Sequence, residues 1–560
     1  MRKILFDRKS EMPPGPVSRS GFVSNLTGSW RYLRPRYEEK LASCIAACPA
    51  SERIEAWMRL AEGKNYFEAW QLIKAVNPFP RVCGRVCFHP CESECNRGHF
   101  DRPIAIHAIE RFVSDYGRSM NRSETPKAAK TGRSVGIIGS GPAGLTCAHH
   151  LARRGHSVTL YEAETKLGGL LMYGIPSYRL PKDVLDEEIG DIIGLGIDVR
   201  TGKRVESIEK LRATHDALFV ATGFSKSSRL EIPGEQDAGV IDALEFLRRA
   251  NTGLQPEMRG KALVIGGGNA AIDTARAALR LGAEPTIMYR RSRVEMPANT
   301  SEIEEAEKEG VSIRYLAQPV EIIRENGRPL LVECMLNRLG EPDTTGRRQP
   351  EPIAGSTFVM ETNAVIVAIG ERPDLSLFRD IVHKEHTSRE QDAKESPCDH
   401  LPDGVFAGGD LTSAQRTVAH AIGSGRRAAI QIDKYLGGEG TDPADYLDAQ
   451  KVKFEHLNVD YFPHRPRIRL PMLPLRDRAT NSKEVNLGIG EDTAISEVER
   501  CFHCGVCISC ENCYLFCPDI AVRKSSDGTY SIDYDFCKGC GICVHECPRN
   551  AMSICEEIRT

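Results

Sequence analysis

Between residue 134 and about residue 440 the chain alternates short apolar runs with longer amphipathic stretches. Val135 to Ile138, Val158 to Tyr161, Ala262 to Ile265 and Pro285 to Tyr289 are four or five residues long. Such runs fit buried strands and are too short for helices. Helical periodicity runs from Pro142 to Arg154, where Gly155 stops it, and again up to about Leu281. Strands alternating with helices predict α/β architecture with parallel sheets. Before this region the chain is polar and Arg-rich, with helix patterns at Ile54 to Ala61 and Tyr66 to Val76, and Pro126 to Thr131 reads as a linker. Residues 441–490 are rich in Pro, Asp and Arg with little periodicity, which predicts a long connection partly wrapped on the surface. The expected division is 1–128, then 129–225 continued by 365–440, an inserted 226–364, a connection 441–490 and a terminal module 491–560.

Composition narrows the class. At 560 residues the chain exceeds what one core supports. With 41% hydrophobic and 27% charged residues it reads as globular, and its net charge of −3 gives no argument for nucleic acid. No apolar run approaches the ~18 residues that span a bilayer. Met1 to Ser10 lacks the apolar core of a secretory signal. Of the twenty cysteines, fourteen sit in two tight terminal groups with metal-ligand spacing, so a reducing, cytoplasmic compartment is expected.

The C-terminal group has a doubled rhythm. Cys507-x2-Cys510-x2-Cys513-x3-Cys517-Pro518 is followed by Cys537-x2-Cys540-x2-Cys543-x3-Cys547-Pro548. This is the two-cluster bacterial ferredoxin run, in which the fourth cysteine of each motif ligates the other [4Fe-4S] cluster. Such clusters move single electrons, so the remainder of the chain is their source or sink.

Two glycine motifs supply that source. Gly139-Ser140-Gly141-Pro142-Ala143-Gly144 follows one strand and Gly266-Gly267-Gly268-Asn269-Ala270-Ala271 follows another, with the same offset of 127 residues at the turn (266 minus 139) and at the next strand end (289 minus 162). In each, the first glycine makes a tight turn, the next lets the backbone approach a pyrophosphate, and the helix N-terminus faces the phosphates. In the first unit Gly144 allows close helix packing and Glu162 ends the second strand, where a carboxylate accepts from a ribose hydroxyl of FAD or NAD alike. Three later pieces favour FAD there: Val220-Ala221-Thr222-Gly223, Val367-Ala368-Ile369-Gly370, and Gly404-Val405-Phe406-Ala407-Gly408-Gly409-Asp410. Together they resemble the flavoprotein pattern with two dinucleotide-binding domains, in which that aspartate holds the ribityl chain. The helix from Thr417 to Arg426 then offers its N-terminus to the reduced flavin. The competing role for Asp410 is an ordinary helix cap. In the second unit, built on Gly266, Gly268 and Asn269, the strand ends on Tyr289-Arg290-Arg291 with no acid. Arginine there accommodates a 2′-phosphate, which favours NADP(H) over NAD. The alternative puts Arg290 and Arg291 on the adenine face or the pyrophosphate and gives the ribose to Glu295.

The N-terminal group is Cys44-x3-Cys48-Pro49 and Cys83-x3-Cys87-x3-Cys91-x3-Cys95. Zinc would show paired CxxC spacings. A helix stripe is the bland alternative, but Gly84 and Pro90 are expected to break any helix through 83–95. Iron-sulfur ligation is the preferred reading. Cys147, Cys334 and Cys398 have no such context and read as packing or surface residues.

As a set, these features resemble the glutamate synthase small-subunit family, whose module also forms the N-terminal part of dihydropyrimidine dehydrogenase. The resemblance covers about residues 30–440. It rests on Asn77-Pro78-Phe79-Pro80 with Gly84-Arg85-Val86-Cys87, on Ile109-Glu110-Arg111-Phe112, on Gly168-Gly169-Leu170-Leu171-Met172-Tyr173-Gly174-Ile175-Pro176, and on Tyr289-Arg290-Arg291 with Glu295-Met296-Pro297. With its ferredoxin tail the chain also looks like the oxidoreductase linked to dissimilatory sulfite reductase, and like the flavoprotein subunits that accompany 2-oxoacid oxidoreductases such as phenylglyoxylate dehydrogenase. The resemblance implies an N-terminal α-helical iron-sulfur domain, two Rossmann-like FAD and NAD(P) domains of the nucleotide-disulfide oxidoreductase kind, with Gly169 in the flavin loop, and a C-terminal ferredoxin-like α+β module. It assigns Cys48, Cys87 and Cys91 to one cluster with Glu110 as candidate fourth ligand, and leaves Cys44, Cys83 and Cys95 for a second, incomplete one. One departure stands out. Family members with two N-terminal clusters carry a further CxxC before the cysteine matching Cys44, where this chain has Leu41-Ala42-Ser43. Cys501 and Cys504 precede the ferredoxin run with no place in it, as spare residues or ligands of a further metal.

Nicotinamide transfers two electrons as hydride, a cluster accepts one, and flavin converts between them. The expected activity is electron exchange between NAD(P)(H) and a partner subunit or ferredoxin, through FAD and clusters, in either direction. A disulfide reductase needs a CxxC beside the flavin, and neither dinucleotide domain has one. A self-sufficient reductase needs a further substrate domain. A relay subunit without flavin sits poorly with two intact glycine motifs.

Overall fold

The computed structural model describes residues 26–120, 128–254, 258–324, 329–343, 345–378, 401–442, 449–479 and 481–557. Cys398 and the first residues of the 126–131 linker lie outside them. The chain forms two compact units, one of residues 44–447 with 466–501, the other of residues 1–43, 448–465 and 502–560.

In the larger unit, helices α1 (Ile54–Glu62), α2 (Tyr66–Lys74), α3 (Pro80–Val86) and α4 (Ile106–Ser119) follow one another. Trp57, Met58, Trp70, Ile73, Phe79 and Ile109 are buried on their inner faces. Gly84 does not break the helix. It lies inside α3, where a Cβ would stand 2.7 Å from both the backbone N and the Cβ of Arg111 on α4. The break falls instead at Cys87–His89, before the short turn Pro90–Ser93. Glycine at 84 is therefore the price of a close helix crossing. Gly84→Ala is expected to lower stability by about 2 kcal/mol, read as a lower urea midpoint.

A first parallel sheet contains β1 (Ser134–Ile138), β2 (Ser157–Tyr161), β3 (Asp198–Arg200), β4 (Ala217–Val220) and, from much later in the chain, Val405–Ala407. Its order is Val405–Ala407, β4, β1, β2, β3. Helix α5 (Pro142–Arg153) follows β1. A second parallel sheet contains β5 (Val240–Asp242), β6 (Gly260–Ile265), β7 (Ala283–Tyr289), β8 (Ser312–Tyr315) and, again from later, Ala364–Val367, which lies between β6 and β5. Helix α6 (Asn269–Arg280) follows β6 and α7 (Thr300–Glu309) precedes β8. In both sheets the late strand docks beside the strand that opens the glycine turn or its neighbour, so each turn is roofed by a distant segment.

The alternation pattern did not reveal an antiparallel sheet formed by β9 (Ala317–Ile323), β10 (Leu330–Pro342), β11 (Arg348–Pro352) and β12 (Phe358–Thr362). These strands mix charged and apolar positions because one face is solvated. The long helix α8 (Val418–Tyr435) packs on α5 so tightly that a Cβ on Gly425 would lie 2.2 Å from the Ala143 carbonyl oxygen.

The smaller unit is a doubled α+β module. Short helices Asn512–Leu515 and Ile542–His545 face a hairpin of Val522–Lys524 with Tyr530–Ile532. Leu33–Tyr37 pairs antiparallel with Met552–Glu556, so the two ends of the chain close one ribbon. Among the described residues no helix is long and apolar enough to cross a membrane.

Candidate functional site

The first glycine turn is shaped by what it excludes. Gly139 has φ +101°, and a Cβ there would lie 2.5 Å from the Ala221 carbonyl oxygen, just after β4. A Cβ on Gly144 would lie 1.9 Å from the Gly139 carbonyl oxygen. Around Gly141, by contrast, a Cβ would meet nothing within 4 Å. Gly141 caps α5 without any side-chain cap, leaving first-turn N–H groups for a ligand. Gly169 lies over this opening, its Cβ position 2.9 Å from the Gly141 Cα. Glu162 is buried and grips the turn: its carboxylate accepts from Ser140 N at 2.9 Å, Ser140 Oγ at 2.6 Å and Glu164 N at 2.8 Å.

Asp410 sits in a single 3-10 turn, Gly409–Leu411, and does not cap α8. That role falls to Thr417, whose Oγ1 accepts from His420 N at 3.3 Å. The Asp410 carboxylate has no hydrogen-bond partner among the described residues. Burial pushes its carboxyl up, against the opposing pull of Arg416.

The second turn repeats the design. A Cβ on Gly266 would lie 2.1 Å from the Ala368 carbonyl oxygen, one on Gly267 would strike the Tyr289 ring at 2.4 Å, and one on Gly268 would meet nothing. Gly268 caps α6, again with no side-chain cap. Asn269 Oδ1 accepts from Asn299 N at 2.9 Å and so fixes the following loop. The two arginines part company. Arg291 is buried and bound to Asp343 at 2.7 Å and to the Arg348 carbonyl at 2.7 Å, while Arg290 is exposed. Glu295 is held by Ser292 within its own loop.

In the smaller unit, one cavity is lined by Cys507, Cys510 and Cys513 with Cys547 from the second motif. Another is lined by Cys537, Cys540 and Cys543 with Cys517 from the first. Ala521 N donates to Cys517 Sγ at 3.2 Å and Ala551 N to Cys547 Sγ at 3.3 Å, the same bond in each half. Burial pushes the Cys513, Cys537 and Cys547 thiols up, and Cys543 to about 12. These four sulfurs, crowded and desolvated, become thiolate only around positive charge, which iron supplies.

In the larger unit, burial pushes up the Cys48 and Cys83 thiols, and Cys87 to about 12. All three have Glu52 and Glu110 as charged neighbours. Burial and Glu52 drive the Glu110 carboxyl far up. Glu110 Oε1 is buried with no hydrogen-bond partner among the described residues. Cys91 has Cys48, Cys87 and Cys44 beside it, and the Cys95 sulfur accepts from the backbone N–H groups of Ile104, Arg97 and Gly98. Cys83 thus lies with Glu110 and Cys87. Of the lone cysteines, Cys147 and Cys334 are fully buried in hydrophobic cores.

Comparison with known proteins decides the family. Residues 133–425 match the model for pyridine nucleotide-disulphide oxidoreductases. The chain belongs to the pyridine nucleotide-disulphide oxidoreductase family. Residues 38–122 also match the 4Fe-4S domain II of dihydropyrimidine dehydrogenase, and residues 530–553 a 4Fe-4S binding domain. The chain is 38% identical over 498 residues to the NADP(+)-dependent formate dehydrogenase subunit beta of Moorella thermoacetica, covering 83% of this chain and 70% of that one. It is 37% identical over 531 residues to the NADPH-Fe(3+) oxidoreductase subunit beta of Geobacter sulfurreducens, covering 87% and 79%. It is 34% identical over 416 residues to the glutamate synthase [NADPH] small chain of Escherichia coli, covering 70% and 88%.

As a member of this family the chain is an oxidoreductase built for FAD, NAD(P) and [4Fe-4S] clusters at both ends. The residues fit these groups: open glycine seats under uncapped helices for the nucleotides, and desolvated sulfurs for iron. Sequence reasoning missed the seam between the two nucleotide halves. Tyr178, fully buried, lies under the guanidiniums of Arg276 at 4.7 Å and Arg280 at 3.9 Å. Arg179 pairs with Asp273 at 2.7 Å. The signal was a charged stripe at Asp273, Arg276 and Arg280 on an otherwise alanine-rich helix. Beneath it, Glu309 binds Arg276 and Arg280 at 2.8 Å each. Burial pushes the Glu309 carboxyl up, but the two guanidiniums hold it at about 2. A depressed carboxyl stabilises above its unfolded value of 4.5 and loses that stabilisation as pH falls toward 2. Glu309→Gln is expected to cost about 3 kcal/mol at pH 7, with the difference from the parent narrowing below pH 4.5 in thermal melts.

Proposed function

We propose that this chain is an NADP(H)-linked electron-exchange subunit, passing electrons between nicotinamide, FAD, iron-sulfur clusters and a partner subunit or ferredoxin. The observation that carries this reading is one chain with both kinds of port: two open glycine seats for dinucleotides and two four-cysteine cavities for clusters. In it Gly139, Gly141, Gly144, Glu162, Gly169, Asp410 and Thr417 serve FAD, and Gly266, Gly268, Asn269 and Arg290 serve NADP(H). FAD bound at the first turn supplies the conversion of hydride into single electrons. The chain's own part is to hold the phosphates on helix N-termini and to steady the ribityl chain at Asp410. Arg290, the exposed cation of its pair, is the residue for the 2′-phosphate, and the NADP(H) names of three relatives support this choice. The cytoplasm is the proposed compartment, since the two cysteine groups have metal-ligand spacing rather than that of a disulfide framework.

The proposed partner is another subunit of an oxidoreductase complex, or ferredoxin. A 2-oxoacid oxidoreductase is the sequence-based candidate, and the beta-subunit name of the formate dehydrogenase relative makes formate the second arm of the test. Anaerobically, NADPH is expected to bleach the flavin and drive viologen reduction. Arg290→Ala is expected to raise the KM for NADPH by roughly 10–100-fold, the value of one charge-assisted contact, while leaving NADH unchanged. Equal loss with both nucleotides would place Arg290 at the shared part of the cofactor.

A further inference from the structure

We infer that Cys501 is an iron-sulfur ligand acting with Cys44 and Cys95, supplied from the other end of the sequence in place of the CxxC that this chain lacks before Cys44. The inference rests on the proposed reading of the N-terminal cysteines as cluster ligands. Those cysteines divide in space. Cys48, Cys83 and Cys87 share Glu110 as a neighbour, whereas Cys95 sits in a loop of its own with its sulfur toward the Ile104, Arg97 and Gly98 amides. Cys91 bridges the first group to Cys44. A second ligand set made of Cys44 and Cys95 is two sulfurs short.

The segment 491–501 is built against that loop. Helix α9 (Glu491–Val498) carries in its last turn Glu497, which is fully buried. Its carboxylate accepts from Ala105 N at 2.8 Å, next to Ile104, and from Ile468 N at 3.1 Å. Arg500, 1% exposed, donates to Glu497 at 2.6 Å, to Asp101 at 2.9 Å and to the Arg102 carbonyl at 2.6 Å. The Arg500 carbonyl in turn accepts from Arg97 Nη1 at 3.0 Å, and Arg97 pairs with Asp101 at 2.6 Å. Two buried guanidiniums and two carboxylates thus bolt residue 500 to the very loop whose amides serve the Cys95 sulfur. These ion pairs fix the backbone on which Cys501 is the next residue. Cys501 N closes the turn on Val498 O at 2.8 Å.

The test uses the full chain, purified anaerobically with its flavin and clusters, and counts iron and acid-labile sulfide per FAD. Cys501→Ser and Cys95→Ser are each expected to lose about four iron atoms per FAD, with unchanged FAD and the same missing signal in the electron paramagnetic resonance of the reduced protein. The double variant should lose no more than either single one. Cys501→Ser with full iron and the parent spectrum overturns the inference. Cys48→Ser and Cys95→Ser separate the two readings: if they lose iron and Cys501→Ser does not, only this inference falls, whereas if all three keep full iron the N-terminal cluster reading falls as well. Should Cys501→Ser fail to fold, alkylation of the parent protein decides. Protection of Cys501 that disappears once iron is chelated supports ligation, and alkylation in the iron-loaded protein overturns it.

Discussion

Glu162→Arg is expected to yield a protein that keeps its iron-sulfur colour and has lost its flavin. The Glu162 carboxylate holds three donors of the first glycine turn and its following loop: Ser140 N, Ser140 Oγ and Glu164 N. Each hydrogen bond to a charged group is worth about 1.5–3 kcal/mol, and losing all of them frees the turn that seats the pyrophosphate. Arginine also buries a cation facing N–H groups, with no carboxylate to receive it. FAD per chain is expected to fall below about a tenth of the parent value, a change of more than about 1.4 kcal/mol in binding, while iron in the ferredoxin module is unchanged. Glu162→Gln keeps acceptor oxygen and shape, so it should retain flavin with affinity reduced roughly 10–100-fold. Flavin absorbance and FAD released on denaturation measure both. A Glu162→Arg protein with normal flavin would move FAD to the other turn and reverse the proposed assignment of the two sites.

The second large effect concerns the crossing of the ferredoxin ligands. Cys547→Ser is expected to remove the cluster bounded by Cys507, Cys510 and Cys513, and to spare the one bounded by Cys537, Cys540 and Cys543, although Cys547 belongs to the latter motif. Iron should drop by about four atoms per chain. NADPH should still bleach the flavin, and viologen reduction should fall more than about tenfold. Cys517→Ser should do the converse. Alkylation distinguishes the outcomes: in Cys547→Ser the sulfurs of Cys507, Cys510 and Cys513 should become reactive while Cys537, Cys540 and Cys543 stay protected. The reverse pattern would mean that each motif binds its own cluster.

What could be read from the sequence was whatever depends on close spacing. The glycine turns are legible because a tight turn, an open seat and a helix N-terminus must occur within six residues, and the cysteine runs because three sulfurs around each ferredoxin cluster come from one short segment. Gly84 misled because a helix-breaking tendency of about 1 kcal/mol is outweighed when another backbone must pass as close as Arg111 does. Arg291 looked like a nucleotide ligand, and its pairing with Asp343 could not be seen because that acid lies in a hairpin 52 residues away. The strands 317–362 show no clean alternation, since β10 pairs with three neighbours and two of those ladders shift register. The ribbon of Leu33–Tyr37 with Met552–Glu556 leaves no local trace at all.

The seam at Tyr178 has a bearing on nucleotide binding. A swing of one nucleotide half over the other would drag a buried phenol and the charges of Arg179, Asp273, Arg276 and Arg280 apart, at a cost of several kcal/mol. That cost holds the displaced pose to about one per cent of molecules or fewer. Nicotinamide then meets two halves already set in place, with no closing swing to complete the site.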